Sequence, residues 1–401
     1  MKAVKIAVIL MIFGLVNITS NCYGEGDYTW TGGGGDNNWT TEANWVDVPK
    51  VEAPEPIKFT GPYGGPVTSN NDKFTVDDIF EELQFSSTTG DDITITGDGL
   101  GIDGSIYVSG ASAVIDIDLN AEGLFIETST NVSVGELTIN GDIALDMGEL
   151  SLSPESASCP IVIDGVISGD SMVTMNGGGI ATLSGVNTYT GMTEVQAGEL
   201  RITGSIADSA TYVTAAGVIL SGDGTVGTLL IEYGGILSPG LSPGTMSAGN
   251  TTWGNNGVYE WEINDSDVSK GNDPGWDWLD ITGTLNIPAD PGGDEFTIDI
   301  TSLGLDNNPG PVADFSSSQS YDWIIASASA GITGFAAEDF ILDTTNFQNS
   351  LGGGSFSIAQ DSNDLVLSFT GGGGGQVPEP STILMMACLG LGLLWYKRRK
   401  V

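Results

Sequence analysis

The stretch IATLSGVNTYTGMTEVQAGELRI, residues 180–202, decides the fold class. It opens on alternating apolar and polar residues and turns a polar corner at Asn187-Thr188-Tyr189-Thr190-Gly191. A new strand then starts at Ala197-Gly198 and runs through Leu200. Alternation with period two is the mark of a half-buried strand, whereas an amphipathic helix needs a period near 3.6. Around it the triplet Gly-Glu-Leu recurs at Gly135-Glu136-Leu137, Gly148-Glu149-Leu150 and Gly198-Glu199-Leu200, and related glycine-led strands begin at Gly217 and Gly235. The last three starts lie 19 and 18 residues apart, the size of one turn of a β-solenoid. Glycine at each corner permits the bend. Leu200, Ile219 and Leu237 are then expected to stack inward as one apolar ladder, with Arg201 pointing out.

The same texture of short strands divided by Gly, Asn and Asp fills residues 91–250, as in Ile93–Thr96, Val114–Leu119, Glu136–Asn140 and Glu149–Ser153. Roughly eight turns at about 4.8 Å each predict a rod on the order of 40 Å. Residues 25–90 are richer in Trp and Gly. There Trp30, Trp39 and Trp45 read either as a sugar-stacking platform or as a cap over the exposed end of the stack, the cap weighing more because an open strand edge has to be covered. Residues 251–370 carry longer strands, among them Val258–Ile263, and predict an antiparallel sheet or sandwich. Residues 371–376 form a glycine linker.

Charge and composition exclude several classes. The chain has 52 acidic and 11 basic residues, a net charge of −41. Six of the basic ones, Lys2, Lys5, Lys397, Arg398, Arg399 and Lys400, stand at the two ends, so the body is more acidic still. Such a surface repels nucleic acid, and no nucleic-acid partner is expected. The chain has no histidine, which removes Ser-His-Asp and Cys-His catalysis and His-ligated metals. Cys22 and Cys388 lie in the two terminal segments, leaving Cys159 alone in the body and no internal disulfide there.

The ends read as targeting segments. Residues 1–24 have a Lys2/Lys5 start, the apolar run Ile6–Val16 and small residues leading to cleavage after Gly24, the pattern of a secretory signal. At the other end Val377-Pro378-Glu379-Pro380-Ser381 precedes the apolar stretch 382–396, expected to be a transmembrane helix. The cluster Lys397-Arg398-Arg399-Lys400 would stop transfer and stay inside. Fifteen helical residues span about 22 Å, short for a permanent anchor.

This tripartite ending, residues 377–401, resembles the PEP-CTERM sorting signal. The resemblance implies recognition by an exosortase, following export by the secretion machinery, with release or re-anchoring outside the inner membrane. Residues 180–202, with Ser221-Gly222-Asp223-Gly224-Thr225-Val226 and the run from Leu237 to Thr245 downstream, resemble the autotransporter-associated β-strand repeat. That resemblance implies a right-handed parallel β-helix. The fold expected is therefore all-β: a parallel β-helix, an antiparallel β region, and a C-terminal membrane segment.

Chemistry within the body is sparse. Beyond residue 73 only Arg201 and Lys270 precede the basic tail, so a lyase base would have to be one of these. Two carboxylates suffice for glycoside hydrolysis, yet no pair stands out among so many acids. Asp103, in a Gly-Leu-Gly-Ile-Asp fragment, and Asp116 and Asp118, with alternating oxygens, are the calcium candidates. Asp265, Asp267, Asp273 and Asp277 form a further acidic loop. Asp and Asn also favour turns on their own account. The reading is a non-enzymatic structural or adhesive protein of the cell surface or exopolysaccharide matrix, with a carbohydrate-binding or carbohydrate-active β-helix as the alternative.

Overall fold

A computed structural model describes residues 27–50, 55–129, 135–146, 148–288 and 294–372. Within them the chain is all-β, with two short 3-10 turns, Glu42–Asn44 and Ala337–Asp339. The strands lie in three long sheets, paired almost throughout in parallel between successive coils. One coil shows the path. Glu199–Ile202 lies in the second sheet, Ser205–Ile206 in the third and Thr211–Val213 in the first, and Ile219–Gly222 then returns to the second. The chain is thus a parallel β-solenoid.

Sequence alternation fixes which residues face in. In the second sheet Ile93, Ala113, Leu137, Ile161, Ala181, Leu200, Leu220 and Leu237 stand in direct register on successive coils. All are buried in one continuous core. The ladder corrects one expectation. Leu220, not Ile219, follows Leu200, while Ile219 pairs with Glu199 and stays half-exposed. Gly217 has φ +77° and open space around it, so it belongs to a turn one residue longer than its counterpart at Gly198. The strand therefore begins one position later, and every side chain changes face. Arg201 points outward as expected. The Gly148-Glu149-Leu150 triplet lies in the first sheet, whereas its two sequence counterparts lie in the second.

Another column explains why glycine recurs with this period. Gly141, Gly165, Gly185, Gly204 and Gly224 stack at one corner of successive coils. A Cβ on Gly165 would lie 1.9 Å from the Gly141 carbonyl oxygen, one on Gly185 2.3 Å from that of Gly165, and one on Gly204 2.2 Å from that of Gly185. Close approach of backbone to backbone, rather than an unusual φ, excludes a side chain here.

The stack is deeper than eight coils. The main path of the first sheet runs through thirteen strands, from Tyr28–Trp30 to Ile332–Thr333. Twelve steps of about 4.8 Å give a rod of about 58 Å. Parallel pairing crosses positions 90 and 250 without a break. Ile79–Ser86 pairs with Leu100–Ser109 across the first position and Ile236–Pro239 with Val258–Ile263 across the second, and Val258–Ile263 pairs in turn with Phe296–Ser302 and through it with Phe340–Asp343. The antiparallel pairing expected beyond 251 is concentrated at the end of the third sheet. There Tyr321–Ala328, Asp364–Thr370 and Ser355–Asp361 form a meander, so that the region is mixed.

Register makes a sharp test. Leu220→Ala is expected to lower unfolding free energy by about 2–5 kcal/mol, whereas Ile219→Ala next to it should cost less than about 1 kcal/mol. Gly165→Ala should cost about 1–3 kcal/mol or more through overpacking. Urea unfolding curves of the three variants check the set; equal effects at 219 and 220 would contradict the register.

Candidate functional site

The three tryptophans proposed for sugar contact are brought together, but as core. Trp30, Trp39 and Trp45 are 1%, 0% and 6% exposed. Trp45 packs edge-on against both others, at ring-centroid distances of 5.0 and 5.4 Å, and all three meet Phe59. The Trp39 indole donates to Ser69 Oγ at 2.5 Å, and that of Trp45 donates to the Trp39 carbonyl at 3.1 Å. Rings whose faces are filled by one another have none left for a sugar. They seal the first coil instead, because the outermost coil has no neighbour of its own to bury it.

The acidic candidates also find structural work. Asp118 Oδ1 accepts the Asp142 backbone N–H at 3.0 Å, and Asp142 Oδ1 accepts that of Val166 at 2.8 Å, so each carboxylate staples its coil to the next. Asn187 Oδ1 accepts the Ile167 N–H at 2.8 Å in the same manner. Asp116 accepts a bond from the Asn140 amide, and Asp103 is exposed on the strand Leu100–Ser109. Among the described residues no group of three or more acidic or Cys side chains is placed to hold a metal ion, and Asp103, Asp116 and Asp118 are not gathered into one. Arg201 donates to Glu199 through Nε and Nη2 at 3.1 and 2.7 Å, and Ser221 donates to the same oxygen. The guanidinium is thus engaged in an ion pair.

One carboxylate stands apart. Asp277, expected in an acidic loop, is completely buried between Trp276 and Trp278. Its Oδ1 accepts the Gly244 N–H at 2.8 Å and its Oδ2 the Glu262 N–H at 2.9 Å. It therefore ties the second-sheet strand Val258–Ile263 to the corner at Gly244. Ser242 donates to Glu262 and the Trp261 indole donates to the Asp277 carbonyl at 3.0 Å. Burial holds the Asp277 carboxyl well above its ordinary range, with the Glu262 charge adding to the rise and the two backbone donors opposing it. Glu262 and Glu260 are raised as well, again chiefly by burial. An acid flanked by two tryptophans is the only sequence signal for this latch.

The sorting residues Val377, Pro378, Glu379, Pro380 and Ser381, the basic cluster 397–400, the apolar stretch 382–396 and Gly24 lie outside the described residues. Among those described, no helix is long and apolar enough to cross a membrane. The body ends beside the antiparallel meander, where Gly371 donates to Ser320 Oγ and Gly372 to the Ser317 carbonyl.

Comparison with known proteins bears on both the repeat and the tail. Residues 173–202 match the Passenger-associated-transport-repeat family, and residues 376–400 match the PEP-CTERM protein-sorting motif. The chain is 32% identical over 170 residues to the adhesin BmaC autotransporter of Brucella suis biovar 1, covering 38% of this chain and 5% of that protein. It is 44% identical over 80 residues to an extracellular serine protease of Serratia marcescens, covering 20% of this chain and 8% of that one. The chain therefore spans less than a tenth of the length of either relative.

The raised carboxyls set a pH dependence. The folded state holds protons on Asp277, Glu262 and Glu260 more tightly than the unfolded chain does. Stability should rise as pH falls from 8 toward the ordinary carboxylate range, and be lost as pH rises through the elevated values. Asp91 is lowered instead, by the Ser87 hydroxyl above all, and Asp343 by Thr345. Their contribution disappears below about pH 4. Urea midpoints across pH 3–9 should peak on the acid side of neutrality, and Asp277→Asn should flatten the alkaline limb.

Proposed function

We propose that this chain is a non-catalytic structural or adhesive protein of the cell surface or exopolysaccharide matrix, processed at its PEP-CTERM tail by an exosortase. That it is an exported surface protein follows from the sorting motif and the passenger-type repeat. The sorting match, at residues 376–400 and joined to the body by the glycine linker, is the observation that carries the reading. The rest is supported by architecture. A solenoid about 58 Å deep, its coils bonded to one another from end to end, is a stiff spacer and a repetitive surface suited to many weak contacts.

The absence of catalysis is supported by the residues at hand. The likeness to an extracellular protease spans 8% of that protein, and this chain has no histidine with which to build a Ser-His-Asp triad. Arg201, the basic residue of the repeat region, is paired with Glu199. A carbohydrate-binding role on the same scaffold remains compatible with all of this; depolymerisation of a polysaccharide by the purified protein would overturn the non-catalytic reading.

Replacing Pro378, Glu379 and Pro380 by alanine is expected to leave the chain unprocessed and retained at the inner membrane. Cell fractionation with intact-mass measurement reads the outcome. Unchanged mass and location would defeat the sorting assignment.

A further inference from the structure

The outward face of the second sheet carries an apolar row that the preceding function does not use. Ile219, Ile236, Val258, Thr297 and Ile341 occupy one register position on five successive strands. The residues that follow the first four, Leu220, Leu237, Tyr259 and Ile298, are buried in the core, so the row points away from it. Ile219, Ile236, Val258 and Thr297 are half-buried, and Ile341 is 46% exposed. Four steps of about 4.8 Å make the row about 19 Å long. No charge interrupts it until Glu199, which precedes Ile219 at the same register position. On the first sheet, by contrast, the outward position of Phe125 passes through Ser151 and Thr174 to Glu194 within three strands. Contiguous apolar surface on a charged body marks a contact site.

The chain carries an occupant of its own. The described body reaches Gly372, and residues 373–401 follow it. Within them 382–396 are apolar and 397–400 basic. As a helix, fifteen residues cover about 22 Å, close to the length of the row and short of a hydrocarbon core of about 30 Å. Reach is sufficient. Phe347, four residues beyond the strand Phe340–Asp343, packs on Phe315, and Phe315 packs on Phe369, with ring centroids 5.1 and 5.0 Å apart. The tail therefore leaves the body at the Ile341 end of the row. Residues 373–381, fully extended, span about 30 Å.

We infer that the unprocessed tail lies along this row, residues 382–396 covering Ile341, Thr297, Val258, Ile236 and Ile219 in turn and the basic cluster 397–400 ending beside Glu199. Three properties select this occupant. Its length matches the row. Burying its apolar side chains on the sheet is favourable in water, and a segment this short is weakly held by a bilayer. Its charge has the right sign for the far end. The three hydrogen bonds that Glu199 accepts from Arg201 and Ser221 all fall on Oε1, which leaves Oε2 to a Lys or Arg of the tail. A second copy of the chain is disfavoured, because it would bring another body of the same strong negative charge. The inference takes from the proposed function only that the tail is kept until it is processed, and adds where it is held.

Cys388, near the middle of the tail segment, is a built-in reporter opposite Val258, the middle of the row. The full chain is expressed with its signal in a Gram-negative host that has no exosortase, so that tail retention does not depend on the sorting assignment. Val258→Cys is introduced and whole cells are treated with a short bismaleimide; Cys159 is fully buried and stays out of the reaction. Peptide mapping is expected to join position 258 to Cys388 within one chain. The yield should be at least fivefold that at position 125 in Phe125→Cys, an exposed site on the first sheet. Adding Ile236→Glu, which alters an outward side chain and leaves the core intact, should cut the yield at position 258 at least fivefold. Equal yields at 258 and 125, links between chains rather than within one, or a yield indifferent to Ile236→Glu would overturn the inference. The sorting assignment stands or falls separately, on whether processing in the native cell needs Pro378, Glu379 and Pro380.

Discussion

Backbone packed directly on backbone, one strand spacing apart, is the constraint from which the rest of this protein follows. Each coil of a parallel solenoid donates its amides to the next, so the coils sit about 4.8 Å apart at every corner as well as along every strand. At that separation a corner has no room for side chains. The column from Gly141 to Gly224 shows the consequence, each Cα lying against the carbonyl of the coil before it. Where the corner must also be held, Asp118, Asp142 and Asn187 accept backbone N–H groups of a neighbouring coil. The turn residues of the sequence are therefore structural parts of the ladder. Their carboxylates are engaged in it, which is a physical reason why an apparent calcium pattern forms no metal cluster among the described residues.

The same constraint governs the ends. A solenoid buries each coil against two neighbours, except the first and last, whose strands need something else. At the start the Trp30, Trp39 and Trp45 rings close the core over Phe59 and Phe85. At the other end Phe315, Tyr321, Trp323, Phe356 and Phe369 pack together under an antiparallel meander. Antiparallel pairing is a natural terminator, because a meander turns the chain back along its own sheet rather than offering a fresh coil. Ten aromatic residues are thereby committed to the two caps, and among the described phenylalanines and tryptophans Phe125 is the exposed one.

Much of this was legible in the residues. Alternation through 180–202 and the spacing of glycines identified a coil-by-coil β fold, and the placement of Leu200, Leu237 and Arg201 agreed with the ladder. The error at Ile219 is instructive. A glycine in a turn and a glycine at a strand start look identical in sequence, and only the extra residue at Gly217 separates them. The depth of the stack was hidden for another reason. Before residue 91 and after residue 250 the coils keep their register but carry longer strands and insertions, such as the pair Ser269–Lys270 and Gly275–Trp276, so the fixed period disappears while the ladder persists. Trp burial and the Asp277 latch depend on what packs across from them, and no local pattern encodes that.

Electrostatics then connects fold to setting. The long, thin body spreads its negative charge over a large surface, which limits the self-repulsion that a compact domain of net charge −41 would suffer. Where carboxylates do crowd, at Glu260, Glu262 and Asp277, burial pushes their pKa upward, which opposes the build-up of charge there. The two ion pairs found among the described residues, Lys58–Asp27 and Arg201–Glu199, neutralise almost none of the total. Such a surface repels anionic polymers and anionic membrane surfaces.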